Sequence, residues 1–218
     1  MARYAISDIH GCCKTFRFMV EEVLHLKPSD ELFLLGDYIN RGPDSKGVLD
    51  FIMQLQETGY RVQALRGNHE EMLLQAQGKP WLYHSNQDSL ASFGLNSPLD
   101  LSQKYWNFLE NLGCFIELND YLLVHAGFDF KASDPFADTY AMLRIRKFEV
   151  NLNLIGNRII VHGHVPQPAD KLIQHIADPA SQVLNIDGGC VYKDSYGLGH
   201  LIALNMDTRD FHVLANRD

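Results

Sequence analysis

Six apolar runs of the chain each break off into a short polar turn that carries glycine: AISDIHG at 5–11, LLGDYINRG at 34–42, ALRGNHE at 64–70, LLVHAG at 122–127, IIVHGH at 159–164 and LNIDGG at 184–189. Runs of this length bounded by such turns read as buried strands. In an open α/β sheet, ligands bind in the loops beyond the carboxyl ends of the strands. The six turns are therefore expected to meet at one place.

Between the runs lie helical patterns. After the strand at 4–9, Phe16, Met19, Val20, Val23 and Leu24 recur at helical spacing until Pro28 stops them. A second strand at 32–35 precedes a helix that Ser45 can cap, with Val48, Phe51, Ile52 and Leu55 on its apolar face and Gly59 closing it. The third strand, at 61–65, completes a βαβαβ order, which argues for a parallel α/β core. A helix is expected over 100–112. Further strands are expected at 115–118, 121–124, 158–161 and 183–186, with a closing hairpin at 200–206 and 210–214. Residues 79–96 and 129–157 follow neither period and read as cap-like insertions over the strand ends. With no repeat, low-complexity tract or linker, residues 1–218 read as a single domain.

Composition narrows the function. A hydrophobic content of 46% with 21% charged residues suits a soluble globular chain of 218 residues. The net charge of −8, without any basic run, argues against nucleic acid as partner, because phosphate backbones are gripped by clustered Lys and Arg. No stretch has the length of a membrane span or the pattern of a signal peptide, so no membrane partner and a cytoplasmic location are expected. The four cysteines, two of them adjacent (Cys12 and Cys13), have no zinc-ligand spacing and read as buried free thiols. The ten histidines weigh more, since neutral imidazole is the commonest protein metal ligand.

At the strand ends, Asp8 and His10 are two apart and can face the same side. Asp37 offers a hard carboxylate able to bridge two cations. Asn68, His125 and one of His162 or His164 supply a second set. Imidazole, carboxylate and amide donors without thiolates suit Mn²⁺, Fe or Zn²⁺ better than Ca²⁺. Two such ions roughly 3.5–4 Å apart can clamp the oxygens of an in-line phosphoryl displacement.

In order, D-x-H, GDxxxRG, GNHE, HAG and GHxP resemble the phosphoprotein-phosphatase branch of the calcineurin-like metallophosphoesterases, with bacterial serine/threonine phosphatases the nearest in kind; the likeness runs from Asp8 to Gly189. It implies an α/β fold of four layers, a central β-sandwich flanked by helices. It also implies two divalent metal ions, Mn²⁺ foremost with Fe, Zn²⁺ or Mg²⁺ as alternatives. Carried over by motif, Asp8, His10 and Asp37 hold one ion and Asp37, Asn68, His125 and His164 the other, leaving His162 a supporting place. Arg41 and Arg146, with Asn68, bind the phosphate as donor forks and amide. Arg144 stands where relatives commonly carry an aromatic residue, and reads equally as a solvated helix charge. His69 is the expected general acid, giving its proton to the departing oxygen while a metal-bridging hydroxide attacks phosphorus.

Two positions depart from the pattern. Asn40 replaces the aspartate that usually pairs with the GNHE histidine; its amide oxygen is expected to accept from the ring while supplying no charge. Asn86-Gln87-Asp88 lacks the glycine pair expected after the asparagine. The implied function is phosphomonoester hydrolysis, with a phosphorylated protein or a small phosphoester as substrate. One alternative is hydrolysis of dinucleoside polyphosphates such as diadenosine tetraphosphate, whose leaving group needs little protonation. An alternative of another class is a metal-binding regulator without catalysis.

Overall fold

A computed structural model describes residues 1–77, 79 and 87–218. Its strands are β1 (Arg3–Ile6), β2 (Glu31–Leu34), β3 (Arg61–Ala64), β4 (Phe115–Glu117), β5 (Tyr121–Val124), β6 (Ile159–His162), β7 (Val183–Asn185), β8 (His200–Asn205) and β9 (Phe211–Ala215). They form two sheets, ordered β3-β2-β1-β8-β9 and β4-β5-β6-β7. β1, β2 and β3 run parallel, as do β5, β6 and β7, while β4, β8 and β9 pair antiparallel.

Period-two alternation along the strands builds the layers. Ala5, Phe33, Leu35, Ile202 and Leu204 from the first sheet share one core with Leu123, Val161, Leu184 and Ile186 from the second. Their neighbours point the other way. Ile6, Leu32 and Leu34 meet Phe16, Leu49, Ile52 and Leu109, carried by α1 (Cys13–Phe18), α2 (Ser45–Glu57) and, after α3 (Asn68–Ala76) and α4 (Gln87–Ser92), by α5 (Gln103–Glu110). Leu122, Val124 and Ile160 meet Phe128, Met142 and Ile155, the last two on α6 (Thr139–Arg144) and α7 (Leu152–Ile155). α8 (Ala169–Ala177) sends Leu172 and Ile176 into the inter-sheet core. The result is the four-layer α/β sandwich, which a parallel α/β core alone would not have required.

Local differences from the sequence reading have local causes. β1 stops at Ile6 rather than at residue 9, because Asp8 and His10 take left-handed φ of 52° and 46° that no strand can hold. The cap of α2 is Asp44, whose side chain accepts from the Gly47 N–H at 2.7 Å; Ser45 is instead the first helical residue, and its hydroxyl accepts from the Asn40 N–H at 2.9 Å. The apolar pattern after Phe16 continues past α1 as a π-helical turn, Met19–Val23. Of the insertion at 79–96, residues 80–86 and the Asn86 departure lie outside the described residues. The 129–157 insertion contributes α6 and α7.

Candidate metal centre and active site

The carboxyl ends of β1, β2, β3, β5, β6 and β7 do converge. Backbone bonds knit their loops: the His10 N–H donates to the Asp37 carbonyl (2.8 Å), the Gly11 N–H to the Tyr38 carbonyl (2.8 Å), and the Gly163 N–H to the His125 carbonyl (2.8 Å). The approach is close enough that a Cβ at Gly163 would collide with Ser7 Oγ and Asp8 Oδ2, which is why this turn needs glycine. Among the described residues, six of the eight non-glycine residues with positive φ belong to this rim: Asp8, His10, Asp37, Asn40, Arg41 and His164. Such torsions cost about 1–3 kcal/mol each and persist only where neighbours over-determine them.

Asp37 divides the centre. Its Oδ2 lies 3.4 Å from His10 Nε2 and 3.9 Å from His69 Nε2; its Oδ1 lies 3.5 Å from His125 Nε2. Two clusters able to hold a metal follow, His10–Asp37–His69 and Asp37–His125–His164, and they share this carboxylate. The tautomers suit ligation. His10 Nδ1 donates to the Ile39 carbonyl (2.9 Å) and His125 Nδ1 to the Leu35 carbonyl (3.0 Å), so each presents the lone pair of Nε2 inward. Around His125 Nε2 stand Asn68 Oδ1 at 3.0 Å, His164 Nδ1 at 3.2 Å and Asp37 Oδ1 at 3.5 Å. Lone pairs facing one another at this range repel unless a cation draws them together. The donor set therefore fits a divalent metal.

Electrostatics agree. Burial pushes the carboxyls of Asp8 and Asp37 up, and Asp37 further because Glu70 and Asp8 stand near. Burial pushes His10 well down and holds His69 and His164 at about 3. The imidazoles are thus neutral, the form that ligates, and the buried anions call for positive charge beyond that of Arg41.

The expected residues fall out unequally. Asp8 is buried with its Oδ2 accepting from the Ser7 hydroxyl and from the His164 N–H at 3.0 Å. Arg41 is exposed, and its Nη1 reaches His10 Nε2 at 2.7 Å. Arg146 is exposed, close enough for its charge to lower His164. His162 turns away: its Nδ1 donates to the Gly163 carbonyl (3.0 Å) and its ring packs edge-on against Phe148. Asn40 does contact His69, but through the opposite edge from the one expected: amide Nδ2 lies 3.0 Å from His69 Nδ1. With the amide NH2 as the donor, His69 Nδ1 accepts and the neutral ring carries its proton on Nε2.

Glu70, the last residue of GNHE, sits in the first turn of α3 and joins two loops. Fully buried, its Oε2 accepts from the N–H groups of Asp37 and Gly67 (both 2.8 Å), and its Oε1 from those of Tyr38 (2.8 Å) and Ile39 (3.3 Å). The same residue fixes the turn after β2 and the start of α3. Asp187, in the sixth strand-end turn, is also buried; it accepts from the Gly189 N–H at 2.9 Å, and burial with Asp8 nearby raises its carboxyl. Only its place in that recurring turn marked it.

Residues 1–198 match the family model for the calcineurin-like phosphoesterases. The chain belongs to that family. This calcineurin-like phosphoesterase carries, at the family's strand-end motifs, the His and Asp clusters described above. Its curated relatives include a symmetrical bis(5'-nucleosyl)-tetraphosphatase of Nitrosospira multiformis, 37% identical over 128 residues that cover 58% of this chain and 44% of that one. A protein of the same name from Buchnera aphidicola is 40% identical over 34% of this chain and 26% of its own. The matched stretches span less than half the length of these relatives. Among solved structures, a candidate diadenosine tetraphosphatase superposes with a TM-score of 0.71 at 21% identity, covering 100% of this chain and 94% of the other. A serine/threonine phosphatase from Saccharomyces cerevisiae superposes with 0.63 at 16% identity, covering 100% and 80%. At these identities the superpositions speak for the fold alone. The sequence relatives are tetraphosphatases, where the motifs had put protein phosphatases first.

Proposed function

We propose that this calcineurin-like phosphoesterase hydrolyses phosphoanhydrides of the dinucleoside polyphosphate class, with a phosphoprotein as the less favoured substrate. The observation that carries this reading is the Asn40–His69 contact, in which an amide donates 3.0 Å away to a ring held neutral by burial. A neutral Nε2–H is a weak acid, sufficient to hydrogen-bond a departing oxygen but poor at protonating an alkoxide. A phosphoanhydride departs as a phosphate anion and needs no full proton. The tetraphosphatase relatives support the same choice.

In this reading Asp8, His10 and Asp37 hold one divalent ion, and Asp37, Asn68, His125 and His164 the other, manganese being the expected occupant of both. When bound, the ions supply Lewis acidity that activates water and offsets charge gathering on the phosphoryl oxygens. Arg41 and Arg146 orient the attacked phosphate through their guanidinium forks. His69 donates its Nε2–H bond to the oxygen between the two phosphorus atoms as that P–O bond breaks. Glu70 holds the turn bearing Asp37 and the helix bearing His69 in fixed register.

Turnover of diadenosine tetraphosphate and of a phosphoseryl peptide, both with Mn²⁺, tests the proposal. The expected result is a higher kcat/KM for the tetraphosphate, abolished by chelator. A higher value for the peptide would return the protein-phosphatase reading to first place. Absence of turnover on both would favour a regulator without catalysis.

A further inference from the structure

Beside the centre lies a cleft of about 250 Å³ that the chemistry above does not use. It is lined on the α3 side by Gln75 and by Glu71, which is paired to Arg66 at 3.0 Å, on the α6 side by Tyr140, Leu143 and Arg144, and by Cys114. Both walls begin at the active site: α3 carries Asn68 and His69 in its first turn, and Arg144 is near enough for its charge to depress His69.

Tyr140 is 73% exposed, an unusual state for a large aromatic on a short helix whose other side is buried. One turn on, the Arg144 guanidinium stands 5.9 Å from its ring centroid. The guanidinium is thus stacked over one face of an exposed ring, and it is the Arg144 charge that reaches His69. That order matches a nucleotide, phosphate inward and base outward. A guanidinium so placed can pair with a phosphate flanking the one attacked.

We infer that the Tyr140–Arg144 cleft is a nucleoside subsite, in which Tyr140 stacks on one purine base of the substrate and Arg144 pairs with the phosphate adjoining that nucleoside. This rests on the dinucleoside polyphosphate reading of the active site. The cleft accommodates one heterocycle and leaves the second nucleoside outside it. Gln75 offers an amide edge to the base, held in place by its bond to Glu71 Oε1 at 2.9 Å. Arg144 is therefore a phosphate-binding residue rather than a solvated helix charge.

The test compares KM for diadenosine tetraphosphate with KM for inorganic tripolyphosphate, which has the anhydrides but no base, in the Mn²⁺-loaded enzyme. Tyr140→Ala should raise the ratio of the two roughly tenfold, the scale of one lost base–aromatic stack, while Tyr140→Phe keeps it. Arg144→Gln should raise both KM values together. Calorimetric titration with ADP should show the same loss of affinity in Tyr140→Ala without any turnover. An unchanged ratio and unchanged ADP affinity in Tyr140→Ala, with wild-type tetraphosphate turnover intact, would overturn the subsite alone. Wild-type failure on tetraphosphate would remove the subsite together with the reading beneath it. A phosphotyrosyl peptide whose KM rises in Tyr140→Ala, while that of the tetraphosphate does not, would reassign the aromatic face to a peptide substrate.

Discussion

The asparagine at position 40 sets what His69 can do. Restoring the carboxylate should favour the imidazolium and so speed departure of basic oxygens. Asn40→Asp is expected to raise kcat/KM on a phosphoseryl peptide several-fold, the scale of a charged over a neutral hydrogen bond, and to leave diadenosine tetraphosphate much less affected. Equal effects on the two substrates would remove Asn40 from the account of specificity. Glu70 makes the opposite kind of prediction. Glu70→Gln keeps the shape but turns an amide donor toward N–H groups that need an acceptor. Destabilisation of about 2–3 kcal/mol in urea titrations is expected, along with weaker Mn²⁺ binding, since the turn holding Asp37 loses its anchor. Stability equal to wild type would show that the four N–H groups find other partners.

At the scale of elements, Arg3 links the far ends of the two sheets. From β1 its guanidinium donates to both oxygens of Asp120 (2.9 and 2.8 Å), just before β5, and to Asp207 (2.7 Å), in the turn between β8 and β9. Hydrogen bonding to Arg3 holds the Asp120 carboxyl below its ordinary value. A depressed folded value means that the link contributes above the unfolded pKa of about 3.9 and is lost as pH falls through the folded one. With Asp120 half exposed, Arg3→Ala should cost a few tenths to about 1 kcal/mol between pH 5 and 8, and less below pH 4 or in molar salt. A cost that did not change with pH would assign the effect to packing.

The strands and most helices were legible because burial imposes period two or 3.6 on the sequence, as in Leu32 to Leu35. The convergence of the candidate ligands was legible as a set because they recur in order at strand ends. Left illegible were features that depend on contacts distant in the chain: that Ser45 serves Asn40 rather than α2, that Glu70 spans two loops, and that the Asn40 amide presents its nitrogen. No spacing rule carries that information, since each choice is settled by a partner several or many residues away.

For the molecule as a whole, the three apolar cores are built without any site residue. Removing metal with a chelator should therefore abolish turnover while far-ultraviolet circular dichroism stays that of the folded protein, and the melting temperature should rise again with added Mn²⁺ by mass action. Loss of secondary structure on chelation would make the metals part of folding. The rim around them is different in kind, because six of its residues are wound into torsions that a free chain avoids. Warming should release that winding first, so catalytic half-life should collapse several degrees before the calorimetric transition, and cooling should restore it. The working temperature of this enzyme would then be set by its loops, with the sandwich beneath them still intact.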